Sequence, residues 1–337
     1  MNKHSFLATL LVCITLLLSA CGSSIAPEST NSSPAAAVDA SPSPEAGTEE
    51  ASDAEPATHI VKTSVGDVEI PLFPKRIIVD WNIGHLLALG LTPIGVPHSL
   101  LDYGLFLRES LPDTVEDIGA HQEMNLEKIM SLNPDLIVTW SEDNYDKLSK
   151  IAPTLVFNTD NYQSAEEEMT ALGDMLGLQE AAAKWNKSFE VRLEAARQKI
   201  AEAVPPGSTF TILEYNWDKT VLVVGATGNR GGKTVYELLG LTPPPKVQSD
   251  IIDKQEWAMN VSWEVLDQYV GDYMIDLRAS DATQERENSI WANLPAVKNN
   301  QVYEFNIRKY FNADPLSYIQ QAEEIAESLA TQRHVMD

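Results

Sequence analysis

The chain has 337 residues, 44% of them hydrophobic, enough for one large domain or two medium ones with a sizeable core. Charged residues make up 22% and leave a net charge of −25 with no basic stripe. Such a surface repels phosphate backbones and argues against a nucleic-acid partner.

In chain order the first signal is N-terminal. Lys3 and His4 precede an apolar run from Phe6 to Leu18, which suits a secretory signal and is too short to span a bilayer comfortably. The run ends in Leu18-Ser19-Ala20-Cys21. This resembles the lipobox of bacterial lipoproteins. The resemblance implies a signal peptide over residues 1–20, cleavage before Cys21 and a diacylglycerol on the Cys21 sulfur. Cys13 would leave with the signal, so a mature chain beginning at Cys21 has no disulfide. Residues 21–58 read as a disordered tether behind the lipidated cysteine. From 22 onward they are Ser, Pro, Ala, Glu, Asp, Thr and Gly for the most part, without Lys or Arg. Such a segment buries too little apolar surface to offset its chain entropy. Its root-mean-square reach is about 35 Å.

From His59 the texture changes. Ile77-Ile78-Val79, bounded by Pro74 and Asn82, reads as a buried strand. A helix over His85 to Leu89 and a strand over Pro93 to Val96 come next. Asn125 to Leu132 reads as a helix stopped by Asn133-Pro134, leading into a strand from Leu136 to Trp140. Asp143 to Ile151 reads as a helix and Leu155 to Phe157 as a strand. Strands alternating with helices predict a parallel α/β sheet.

Ser164 to Val204 is helix-rich. Leu178, Ala182, Trp185, Phe189, Leu193, Ala196 and Ile200 form an apolar stripe at spacings of three and four. It predicts a helix of about 26 residues, roughly 39 Å long. Pro205-Pro206-Gly207 stops it. It reads as a rigid strut, the alternative being one more helix laid on a sheet. Phe210 to Glu214 and Val221 to Val224 then read as strands, Thr234 to Leu239 as a helix closed by Gly240, and Val261 to Tyr269 as another helix. Tyr273 to Asp276 and Val302 to Phe305 read as strands, and Ser317 to Thr331 as the last helix. The expected fold class is α/β. Two α/β lobes with parallel-type sheets, 59–177 and 204–337, are joined by a single long rigid helix over 178–203, with a ligand cleft between them.

Enzymatic motifs are missing: no G-x-S-x-G elbow, no S-x-x-K, no H-E-x-x-H. The six histidines lack close metal-ligand spacing, and His121 near Glu123 reads as a solvated loop pair. Gly225 to Thr234 looks like a phosphate loop, but the pattern needs glycine at 227, where Thr227 stands. Its glycines would still let backbone approach a ligand closely.

Several segments share one likeness: Pro74 to Trp81 followed by Leu86 to Gly95; Asp117 to Gly119 with Met124 to Ile129 and Asn133 to Ile137; Asn229-Arg230-Gly231-Gly232; and Tyr310 to Pro315. Together they resemble the siderophore-binding proteins of ATP-driven iron importers, particularly the hydroxamate-binding group, over nearly all of 60–330. The resemblance implies two lobes, a connecting helix and little hinge motion. It implies a substrate-binding component, not an enzyme, that captures a ferric siderophore and delivers it to an ABC permease dimer with its ATPase. Iron then arrives as cargo, with no cofactor and no direct metal ligand. The protein would be a monomer, lipid-anchored on the outer face of the bacterial cell membrane. Glu127 and Glu264 are similar to the carboxylates, one per lobe, that dock permease arginines. Arg230 matches the arginine that donates to hydroxamate oxygens. Tyr310 and Phe311 match positions that pack on the siderophore. Trp81, Tyr103, Trp140, Tyr162 and Trp217, at or near predicted strand ends, are further wall candidates.

The chain departs from the subgroup at Gly228, Leu222-Val223-Val224 and Asn312-Ala313. Alternative ligands are a ferric catecholate, for which Arg230, Lys233, Arg278 and Arg308 would have to converge, ferric citrate, cobalamin or haem. A secreted lipoprotein enzyme and a receptor-like sensor are the other readings.

Overall fold

A computed structural model describes residues 57–215, 220–279 and 289–331. Cys21, the signal, most of the tether and Trp217 lie outside the described residues.

The described chain opens on an antiparallel hairpin, β1 (Thr58–Thr63) and β2 (Gly66–Pro71), with Thr58 opposite Pro71. Thr58 therefore belongs to the fold and not to the tether. Val61, Val68 and Ile70 alternate with polar residues and bury their side chains in the first lobe.

That lobe is built on a sheet of β3 (Ile77–Val79), β4 (Gly95–Val96), β5 (Glu116–Asp117), β8 (Leu136–Thr139) and β9 (Thr154–Val156). A small hairpin, β6 (Gly119–Ala120) with β7 (Glu123–Met124), stands apart. The sheet order is β5-β4-β3-β8-β9 and every pairing is parallel. β3, β8 and β9 are buried throughout, which is why they read as unbroken apolar runs. The chain leaves β3 toward β4 on one side and returns to β8 on the other. A crevice opens beyond the carboxyl ends of strands at such a reversal.

The second lobe carries β10 (Phe210–Tyr215), β11 (Val221–Val224), β12 (Ala258–Val261), β13 (Tyr273–Arg278) and β14 (Val302–Asn306), in the order β12-β11-β10-β13-β14. β10, β13 and β14 are parallel, but β11 runs against both β10 and β12. The sheet is thus mixed where a parallel type was expected. The link between β10 and β11 is too short for a crossover, so the pair must be antiparallel. β12 also occupies the start of the helix expected over 261–269; its helical part is the tight turn Trp263–Gln268.

The strut is present as a 25-residue helix, Gln179–Ala203, burying Ala182, Phe189, Leu193, Ala196 and Ile200. A second element also ties the lobes. The last helix, Pro315–Thr331, lies along the strut, with Arg192 gripping Glu323 through two bonds of 2.7 and 2.6 Å and Lys199 bonded to Glu327. At its start Leu316 packs on the first lobe's core and Asp314 abuts Gly84.

One surface cluster in the second lobe carries a pH prediction. Lys246 and Tyr269 both donate to Asp250 and hold its carboxyl down at about 2, the lysine contributing most. A depressed carboxyl stabilises the fold above its ordinary value of 3.8 and loses that contribution as pH falls toward 2. Lys246→Ala is expected to move the Asp250 midpoint back toward 3.8, read from its carboxyl carbon shift by NMR. An unchanged midpoint would exclude the lysine as the cause.

Candidate functional site

The residues just past β3 and β8 enter the crevice beyond those strands. After β3 come Asp80 and Trp81; after β8 comes Trp140. Asp80 is buried and ties the two strand ends together. Its Oδ2 accepts from the Thr139 hydroxyl at 2.5 Å and its Oδ1 from the Trp140 N–H at 3.0 Å. Burial pushes this carboxyl up, against the opposing pull of those two donors. Both tryptophans thereby share one brace. Their rings lie 6.5 Å apart, tilted by 50°.

His121 packs 4.9 Å from the Trp81 ring, and its Nδ1–H donates to the Asp80 carbonyl at 3.1 Å. It is a wall residue and not a solvated partner of Glu123. The turn after β9 supplies Thr159, which accepts from the Trp140 indole at 3.2 Å, with Asp160 and Tyr162. Tyr162 stacks on Phe157, and burial raises its phenol.

The second lobe closes the opposite side with Thr227, Gly228 and Asn229, then Lys233 and Glu237 on the short helix Lys233–Leu238, and Tyr318. On the floor, Glu168 of the first lobe is 4% exposed, 2.9 Å from His85 Nε2 and 3.7 Å from Lys233 Nζ. That last contact bridges the lobes. The cleft measures about 540 Å³, within the range of small-molecule sites.

Trp81, Trp140 and Tyr162 are brought together in this cleft as wall candidates. Arg230, Phe311 and Tyr103 form a separate group beside it. The Arg230 guanidinium is ion-paired to Glu214 and lies 4.6 Å over the Phe311 ring, which stands 5.1 Å from Tyr103. Tyr310 needs correction. It is 0% exposed within the second lobe's core and offers no surface to a ligand. It also explains the glycine pair: a Cβ on Gly231 would lie 2.8 Å from the Tyr310 ring, and one on Gly232 would lie 2.1 Å from the Gly225 carbonyl. Packing alone therefore requires both glycines.

The four cations do not converge. Arg278 is buried with Asp276, and Arg308 donates to the Asp102 carbonyl. Lys233 is the only Lys or Arg among the described residues lining the cleft. Among the described residues no cluster of three or more His, Cys, Asp or Glu side chains is arranged to hold a metal ion. Glu127 and Glu264 are both exposed, each in the first turn of a short helical element, on different lobes. Sequence reasoning missed His121, Asp160, Glu168, Glu237 and Tyr318. For Asp160 a signal existed, since it follows the predicted strand Leu155 to Phe157 closely, as Trp81 follows the one ending at Val79.

The periplasmic binding protein family model matches residues 81–306. The iron(3+)-hydroxamate-binding protein YxeB of Bacillus subtilis is 34% identical over 335 residues, covering 98% of this chain and 97% of that protein. The iron(3+)-hydroxamate-binding protein FhuD of the same organism is 33% identical, covering 81% of this chain and 86% of its own length. Among solved structures, a FhuD-fold periplasmic binding protein component of a Fep/Fec-like ferrichrome ABC transporter from Bacillus subtilis superposes with a TM-score of 0.71. It is 30% identical and covers 80% of this chain and 99% of its own.

Proposed function

This chain belongs to the periplasmic binding protein family, and from that premise we propose that it is the substrate-binding component of an ABC importer, taking up ferric siderophores of the hydroxamate type. The relatives named for iron(3+)-hydroxamate binding support the ligand class. The observation that carries the reading is the cleft: residues of both lobes line about 540 Å³ with indole and phenol walls and one ammonium among several carboxylates. A ferric hydroxamate is neutral or cationic and is compatible with such a lining. A ferric catecholate is strongly anionic and would need several converging cations.

In this reading the protein binds and hands over its ligand without covalent chemistry. Iron is cargo held by the siderophore, so the protein supplies no ligand to the metal and needs no cofactor. Cys21 carries a lipid that keeps the lobes at the outer face of the membrane, and Glu127 and Glu264 meet the permease.

The test is a tryptophan-fluorescence titration of the purified protein with a ferric trihydroxamate, a ferric catecholate, ferric citrate, cobalamin and haem. Saturable quenching by the hydroxamate is expected, with Trp140→Ala weakening it about ten-fold, a loss of about 1.4 kcal/mol. Binding to one of the other ligands alone would overturn the hydroxamate assignment. Binding to none would overturn the siderophore reading.

A further inference from the structure

Beyond the ligand class, the charges in the cleft point to the charge of the ligand. The Glu168 carboxylate already has two partners, His85 and Lys233, so the Glu168–Lys233 pair contributes no net charge. Glu237 and Asp160 remain, one from each lobe. Neither side chain has a hydrogen bond or ion pair with any described residue. Both side chains are exposed at the cleft lining, and partial desolvation pushes the Glu237 carboxyl up against the opposing pull of Lys233. A carboxylate that lacks a direct partner leaves the cleft with negative charge that a cationic ligand meets.

The cleft already accommodates one ammonium, the protein's own. Lys233 Nζ sits 5.4 Å over the Tyr318 ring and 3.7 Å from Glu168. Trp81, Trp140 and Tyr162 offer further aromatic surface along the same lining, which favours a cation electrostatically.

Resting on the siderophore reading above, we propose that Glu237 and Asp160 are specificity-determining residues that select ferric hydroxamates carrying a positively charged arm, such as a primary ammonium, over neutral ones. The two carboxylates line the cleft from opposite lobes, so both walls add negative charge for a cationic ligand to meet.

The test uses two linear ferric trihydroxamates that differ at one atom group: one ends in a free primary amine, the other in its uncharged N-acetyl form. The native protein is expected to bind the ammonium form at least about ten-fold more tightly. That preference should shrink as salt rises. In the Glu237→Gln/Asp160→Asn double variant the ratio of the two affinities should fall to about one. A thermal-unfolding midpoint matching native shows separately that the variant is folded. Equal native affinities, or a preference that persists in the variant, would overturn the charge-selection proposal and leave the siderophore reading standing. Failure of the native protein to bind either form would overturn both.

Discussion

Replacing Glu127 and Glu264 together with alanine is expected to lower cellular uptake of the ferric complex about ten-fold or more, while its affinity in solution stays within about two-fold of native. Both carboxylates are exposed and neither lines the cleft, so the ligand has no direct contact to lose. Glu127 lies in the first turn of the helix Leu126–Ser131, whose cap is Asn125; the Asn125 Oδ1 accepts from the Lys128 N–H at 2.9 Å. That cap survives the substitution, so the helix should persist. Glu264 is held below the usual carboxylate range, chiefly by its hydrogen bond with Ser262, and stays ionised for a cationic partner.

The size of the effect comes from bivalency. Once one lobe is docked, the second carboxylate binds at an effective concentration fixed by the rigid protein. Single variants should therefore retain partial uptake, and the double variant should lose more than either. An Arg-carboxylate contact is charge-assisted and directional, so Glu→Gln at both positions should fail nearly as badly as alanine. Normal uptake by the double alanine variant, with ligand binding intact, would remove both residues from the docking surface.

The parts of the fold legible in the sequence are those in which one local pattern decides the outcome. Ile77–Val79 and Leu136–Thr139 are buried on both faces, so their strands appear as apolar runs. The strut shows its buried face as a stripe from Ala182 to Ile200. The direction of β11 was less visible because alternation of elements suggested crossovers, although its short link to β10 excluded one. Tyr310 and Tyr162 illustrate the limit at the site. Both are tyrosines near element ends, yet one is enclosed by the core and the other faces the cleft. Only long-range packing separates them. Likewise Glu168 and Glu237 lie on helices where a carboxylate reads as solvated surface, and only the approach of the opposite lobe makes each of them part of a site.

Gly84→Ala is expected to destabilise the protein by about 2–4 kcal/mol, combining overpacking with damage to a helix cap. By helix propensity alone the change should stabilise by about 1 kcal/mol, because Gly84 lies inside the helix Ile83–Ala88. Sterics oppose this. A Cβ there would fall 1.7 Å from Asp314 Oδ1 and 2.4 Å from its Cγ. Asp314 has little freedom to yield. It is buried, and its two oxygens accept from the Ser317 N–H at 3.0 Å and the Ser317 hydroxyl at 2.6 Å. Either that cap breaks or the last helix moves away from the first lobe. The double variant Gly84→Ala/Asp314→Ala relieves the clash, so denaturant unfolding should find it more stable than the two single losses add up to. A Gly84→Ala protein as stable as native would mean that the seam between the helices is loose. If the seam is tight, the displacement also reaches the ligand. Gly84 is followed directly by His85, which holds Glu168, and Glu168 meets Lys233 across the floor of the cleft. Affinity for the ferric complex should therefore fall in the variant even under conditions where it remains folded.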